Sequence, residues 1–175
     1  MKLFSIDGPL YQFFSRLLDM LKLNILWLLF SLPIVTIGAS TAAAFSVTLK
    51  MVDEREGYIA RQFWTAFKAN VKQGIPTGLL NLFFAYALDL DFQLFHAVEG
   101  NPMYFLILGI VGSVMCFGYF IYSYALMARY DNTLLRTLKN SMEISVKYFG
   151  RTIMIAVVLA VELFVFLFNT TTIFL

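Results

Sequence analysis

Four runs of this chain hold no charged side chain: Leu23 to Leu49, Gln73 to Leu88, Gly100 to Ala128, and Thr152 to Val161, the last resuming after Glu162 as far as Leu175. About 20 apolar residues in a helix cross a bilayer core. Sixty per cent of the 175 residues are hydrophobic, 17% are aromatic and only 14% are charged. With a mean hydropathy of +0.77, this composition excludes an ordinary soluble domain. The expected fold is all-α, a single polytopic membrane domain over residues 1–175 with transmembrane helices at about 23–49, 73–95, 102–128 and 152–175. The single cysteine, Cys116, falls inside the third span, so no disulfide framework exists. A cleavable signal peptide with Leu23 to Ile37 as its apolar core is disfavoured, because Asp7 and Asp19 precede it and the apolar run continues to Leu49.

The basic residues orient the spans. Lys50, Arg55, Arg61, Lys68 and Lys72 precede the second span, and Arg129, Arg136, Lys139, Lys147 and Arg151 follow the third. The loop between those two spans has Asp89, Asp91, His96 and Glu99 and no lysine or arginine. Cytoplasmic loops carry the excess of Lys and Arg, so loops 50–72 and 129–151 are expected in the cytoplasm of a cell-membrane protein, and loop 89–101 outside. Tyr104 and Tyr130, 26 residues apart, bracket the third span as interfacial anchors.

Residues 31–40, Ser-Leu-Pro-Ile-Val-Thr-Ile-Gly-Ala-Ser, interrupt the first run with a proline, a glycine and three hydroxyls. Two readings stand open. In the more economical one, a single span bends at Pro33, which lacks a donor and clashes with the carbonyl of Leu29, while Ser31 or Thr36 hydroxyls satisfy the freed groups. In the other, the chain makes a re-entrant hairpin turning at Pro33 to Gly38, which puts the N-terminus with Lys2, Arg16 and Lys22 inside. Gly38 with Ala42, Ala39 with Ala43, and Ser40 with Ala44 form small-xxx-small pairs, and Gly109 with Ser113 repeats the device. Such faces let helix backbones approach closely in a membrane. Pro33, Thr36, Gly38, Ala39, Ala42, Ala43, Gly109 and Ser113 are therefore candidate packing residues, within the chain or against a partner.

Two cytoplasmic stretches have helical amphipathicity. Ile59, Phe63, Phe67 and Val71 recur four apart, with Arg61, Lys68 and Lys72 on the other face. Leu134, Leu138, Met142 and Val146 do the same against Arg136, Lys139 and Lys147, with Asp131 or Asn132 as N-cap. Interfacial helices are expected at about 58–72 and 132–148, with their basic side chains on anionic headgroups of the inner leaflet. The sequences Thr65 to Asn70 and Thr137 to Asn140 form a weak internal echo within them.

Glu162 lies 11 residues past Arg151, about 16 Å along a helix and near mid-bilayer. A carboxyl there needs a partner such as Asn81 or a tyrosine, another subunit, or a role in an ion pathway. Asp89 and Asp91 are expected to end the second span. Catalytic motifs are missing: there is no HExxH, no GxSxG elbow and no glycine-rich phosphate loop, and the lone His96 offers too few ligands for a metal. No cofactor is expected, and the basic loops belong to the membrane rather than to nucleic acid.

Leu17-Leu18-Asp19, Leu23 to Leu29 and Leu32 to Thr41, followed by Phe63 to Asn70, resemble the YesL family of bacterial membrane proteins. The family usually has a fifth membrane segment, whereas this sequence stops at Leu175. The resemblance, which runs over the whole chain, implies a Gram-positive bacterial membrane component encoded beside carbohydrate ABC importers. The partners it implies are the permease subunits and, through them, the ATPase and the solute-binding lipoprotein. The expected function is that of a non-catalytic accessory subunit packing against those permeases. The alternative is an independent, oligomeric small-solute transporter or channel using Glu162.

Overall fold

The computed structural model describes residues 9–53, 57–97 and 103–173, and these are helical almost throughout. The helices are α1 (Pro9–Ser31), α2 (Ile37–Val52), α3 (Ile59–Ala97), α4 (Met103–Arg129), α5 (Leu134–Lys147) and α6 (Phe149–Ile173). Three stretches are long and apolar enough to cross a membrane: Ile34–Val52, α3 and α4. The α5–α6 pair, bent by 92°, makes a fourth if its first part, as far as Glu162, is counted with α5 as one span. Lys2, Arg55 and Glu99, which entered the charge argument, lie outside the described residues, as do the last two residues of the chain. Contacts divide the chain into two units, one of Met1–Phe83 with Tyr124–Thr137 and the other of Phe84–Ser123 with Leu138–Leu175.

The first unit is built on a hairpin. Helix α1 stops at Ser31, because Leu32 precedes a proline and is biased away from helical backbone. Pro33 is extended (φ −74°, ψ 114°), and a 3-10 turn at Ile34–Thr36 leads into α2. The two arms are pinned side by side. The Trp27 indole N–H donates to Thr41 Oγ1 at 3.1 Å, and the Ser31 and Ser40 hydroxyls lie 2.5 Å apart. Further down, Leu23 is buried in one cluster with Ala43 and Val47. Pairing 31 with 40, 27 with 41 and 23 with 43 and 47 makes the arms antiparallel, so of the two open readings of 31–40 the chain adopts the hairpin, and the single bent helix over 23–49 is corrected. The physical reason is that α1 begins at Pro9, well before the charge-free run. The arm is therefore helical through Arg16, Asp19 and Lys22, and Asp19 and Lys22 bridge one turn apart at 2.9 Å.

The start of α3 closes the hairpin. Ile59, Phe63 and Phe67 are buried with Leu23, Ala39, Ala43, Val47 and Met51, and the Phe30 ring lies 4.9–5.5 Å from those of Phe63, Trp64 and Phe67. The separate interfacial helix expected over 58–72 is thus the first part of a continuous 39-residue helix that runs through Pro76. The apolar side of an interfacial helix faces lipid, whereas Ile59, Phe63 and Phe67 meet protein. Two turns on, α2 and α3 come into backbone contact. A Cβ on Gly38 would run into the Gly74 carbonyl oxygen and stand 2.8 Å from Gly78 Cα, and one on Gly74 would stand 2.5 Å from Ala39 Cα. Such separations admit only glycine on the facing positions.

In the second unit, the last part of α3, from Phe84, runs antiparallel to α4. Leu88 meets Gly112, Asp91 meets Gly109, and Phe84 packs edge-on against Tyr119 with ring centroids 5.9 Å apart. Asp89 and Asp91, expected to end the second span, lie within the helix, which continues to Ala97. Helix α5 buries Thr137, Ser141 and Ser145, four apart, and leaves Leu135 and Val146 exposed. Gly118 of α4 is packed against Ser145 and Thr152.

The glycine contact makes a prediction. Gly38→Ala and Gly78→Ala should each destabilise the protein by about 1–3 kcal/mol through overpacking, read as a lower midpoint of denaturant unfolding in detergent. Gly150→Ala, where a Cβ meets nothing within 4 Å, should leave that midpoint unchanged or raise it.

Candidate functional site

Polar side chains within apolar helices are the places where chemistry or recognition would concentrate, and the structure sorts them by their partners. In the first unit, Asn81 of α3 donates from Nδ2 to the buried Tyr124 hydroxyl at 2.9 Å. Tyr124 clusters with Ala42 and Met127, and Phe45 of α2 stacks on its ring. Nearby, Ser46 donates to the Ala128 carbonyl at 3.4 Å, and the Gln73 side-chain amide donates to the Asn132 carbonyl. The end of α4 and the residues after it are therefore tied to α2 and α3 by hydrogen bonds, in the part of the chain where α4's last carbonyls have no further helical turn to donate N–H groups to them.

The candidate packing residues separate into two groups. Gly38, Ala39, Ala42 and Ala43 are fully enclosed within the chain itself. Pro33 is exposed at the turn, and Thr36 places its hydroxyl 2.7 Å from the Phe30 carbonyl and 2.8 Å from that of Pro33. Gly109 is half-buried beneath Asp91: a Cβ on it would stand 2.6 Å from Asp91 Oδ2. Ser113 is exposed and donates back to the Ile110 carbonyl at 2.8 Å.

Two cavities flank α4 in the second unit. One, of about 310 Å³, is lined by Asp91, Phe92, Phe95, Phe105 and Gly109 among others. The other, of about 670 Å³, opens between α4 and α6, with Ser113, Val114 and Phe117 facing Thr152, Ala156 and Ala160. Thr152, Ala156 and Ala160 continue the small-residue spacing on α6, and sequence reasoning missed them although the four-residue interval was visible. At the foot of this cleft, the buried Thr152 hydroxyl lies 3.2 Å from the Tyr122 hydroxyl and 3.3 Å from the Tyr148 carbonyl. The hydroxyl stripe Thr137, Ser141 and Ser145 was also missed, because the apolar spacing beside it is the louder signal.

Glu162 is exposed on α6. The expected partner Asn81 is engaged with Tyr124, and among the described residues no hydrogen bond or ion pair reaches the Glu162 carboxyl. The basic candidates Arg61, Lys68, Lys72, Arg136, Lys139 and Lys147 are all exposed. Lys68 lies over the Trp64 ring and Lys147 over the Tyr148 ring, at 5.2 and 5.7 Å from the centroids. Among the described residues, no group of three His, Cys, Asp or Glu side chains is placed to hold a metal ion.

Long apolar helices joined by short connections are compatible with a multi-pass membrane protein. Residues 20–92 match a family model described as "Protein of unknown function, DUF624". The matched stretch takes in the paired arms of the hairpin and α3 as far as Phe92, including the Gly38–Gly74–Gly78 contact. Comparison with curated proteins and with solved structures returned no match.

The Asn81–Tyr124 pair is open to direct measurement. Tyr124→Phe should strand the Asn81 amide and cost about 1–3 kcal/mol, whereas the double change Asn81→Leu, Tyr124→Phe should recover part of that loss. A double-mutant cycle on unfolding in detergent reads the coupling; additive losses would show that the two side chains act separately.

Proposed function

We propose that this chain is a non-catalytic accessory subunit in the membrane of a bacterial carbohydrate ABC importer, packing against the permease subunits to stabilise or regulate uptake. The observation that carries the partner is Glu162. It stands on α6 among exposed Ile155, Val158, Leu159 and Val165, with no partner among the described residues of its own chain. A carboxyl at that depth is costly against lipid and is usually matched by another polar group. An adjoining protein subunit supplies that group, and the apolar side chains around Glu162 form the rest of the contact.

The class of partner comes from the resemblance to the YesL family, which the match of residues 20–92 to DUF624 supports at the coarser level. The small-residue faces of α2 do not serve this contact, since they are occupied inside the chain. In this reading the basic segments around 50–72 and 129–151 face the cytoplasm, and the connection between α3 and α4 lies outside. The permeases, the ATPase and the solute-binding lipoprotein bring the substrate and the energy.

Affinity purification of the tagged chain from its native host in mild detergent, followed by mass spectrometry, tests this. Two permeases and an ATPase should co-purify in comparable amounts. Glu162→Leu should weaken that recovery about tenfold or more, corresponding to about 1.4 kcal/mol or more of lost contact, with the chain's own unfolding midpoint unchanged. Recovery of the chain alone would refute the subunit reading.

A further inference from the structure

We infer that the α1–α2 hairpin is a re-entrant element: it enters the bilayer from the face that carries Lys22 and Lys50, turns among the lipid chains at Leu32–Thr36, and returns to the same face. The partner of its exposed tip is the hydrocarbon of the membrane. Three features of the first unit lead there.

The first is length. From Leu23 to Ser31, α1 rises about 13 Å before the turn, and from Ile37 to Leu49, α2 rises about 19 Å after it, against a hydrocarbon core about 30 Å thick. For α1 to cross, Arg16, Asp19 and Lys22 would have to enter the core. Ile34–Val52 is by itself long enough for a span, but its pairing with α1 ties its depth to the shorter arm. Lys22 lines one groove with Asp19, Gly57 and Tyr58, so the foot of α1 and the connection after α2 are at the same level.

The second is the chemistry of the tip. Irregular backbone inside a membrane must have its polar groups satisfied within the protein. Here the Leu32 N–H reaches the Leu29 carbonyl at 3.4 Å, and the Thr36 N–H reaches that of Pro33 at 2.9 Å. Pro33 has no N–H to satisfy. The Thr36 hydroxyl covers the Phe30 and Pro33 carbonyls, and the Ser31 and Ser40 hydroxyls satisfy each other. Beside these paired groups, Leu32 (72% exposed), Ile34 (64%) and Val35 are exposed. A turn placed in water normally has the opposite arrangement, with polar side chains outside.

The third is the foot. Before Lys22, Leu10, Tyr11, Phe13, Phe14, Leu17 and Leu18 are exposed on α1, and Arg16 is exposed among them. That arrangement suits the headgroup layer, where apolar and basic side chains both find partners. The hairpin therefore puts Arg16, Lys22 and Lys50 on one face of the membrane, together with the N-terminus.

Single cysteines in a Cys116→Ser background, at Lys22, Lys50, Ile34 and Met103, test the inference in the full chain. A charged, membrane-impermeant maleimide is applied to intact cells and to inverted vesicles. Lys22→Cys and Lys50→Cys should react from one side and Met103→Cys from the other. Ile34→Cys should react from neither, while a bimane attached there is quenched by lipids brominated on their acyl chains. Labelling of Lys22→Cys and Lys50→Cys from opposite sides, or of Ile34→Cys by the aqueous reagent from either side, would overturn the inference. An N-terminal reporter fused to the otherwise unaltered chain checks the first result independently of any folding defect in the variants; it should report the same side as Lys50→Cys.

Discussion

Backbone contact between α2 and α3, at Gly38 against Gly74 and Gly78, is the constraint on which the first unit depends. In lipid, two helices gain nothing from hiding apolar side chains from water, because the lipid is equally apolar. What holds them is dispersion between closely fitted surfaces, and the fit is best where no Cβ intervenes. The same approach encloses Ala39, Ala42 and Ala43, brings α2 to the end of α4 at Tyr124, and fixes the register in which Phe63 and Phe67 receive Phe30. The charge-free part of α1 is shorter than α2, and the two arms are pinned to each other near the turn. They are held because α3 offers a glycine face at the height where α2 begins.

Hydroxyl and amide groups do a second job, closing the backbone wherever a helix stops or bends. Thr36 and Ser40 serve the turn, Gln73 and Ser46 serve the end of α4 and the residues after it, and Thr152 serves the connection from α5 to α6. None of these bonds is strong alone, at about 0.5–1.5 kcal/mol net. Their value lies in the alternative, an unpaired carbonyl facing hydrocarbon. Glu162 is the exception, a carboxyl in α6 directed away from its own chain. That contrast sets the exposed face of α6 around Glu162 apart from the faces whose polar groups are paired within the chain.

The helical class and the apolar stretches were legible from charge-free runs of residues, because membrane thickness leaves few other ways to bury 60% hydrophobic composition. The glycine and alanine spacing from Gly38 to Ala43 was legible as a packing face for the same reason. Its partner was not: Gly74 and Gly78 lie four apart in α3, but nothing local says that this pair meets Gly38. The stripe from Ile59 to Phe67 was legible as one face of a helix, while periodicity carries no information on whether that face meets lipid or protein. Charge counting set the start of the first span at about Leu23 and gave no reason for the helix itself to reach back past Lys22, Asp19 and Arg16. Charge bounds an apolar stretch rather than a helix, and α1 runs on through these residues to Pro9.

By itself, then, the sequence determined the all-helical class, the approximate apolar segments, the amphipathic character of 59–72 and 134–147, and the presence of small-residue faces. Each follows from residue type at short spacing. Only the tertiary structure decided that Ser31–Ser40 is the head of a hairpin, that residues 59–72 are the first part of the long α3, that Asn81 belongs to Tyr124 and that Glu162 is left without a partner among the described residues. Each of these is a choice between contacts remote in sequence. In a chain where almost every face is apolar, such choices are made by the fit of small side chains and by which polar groups come close enough to satisfy one another.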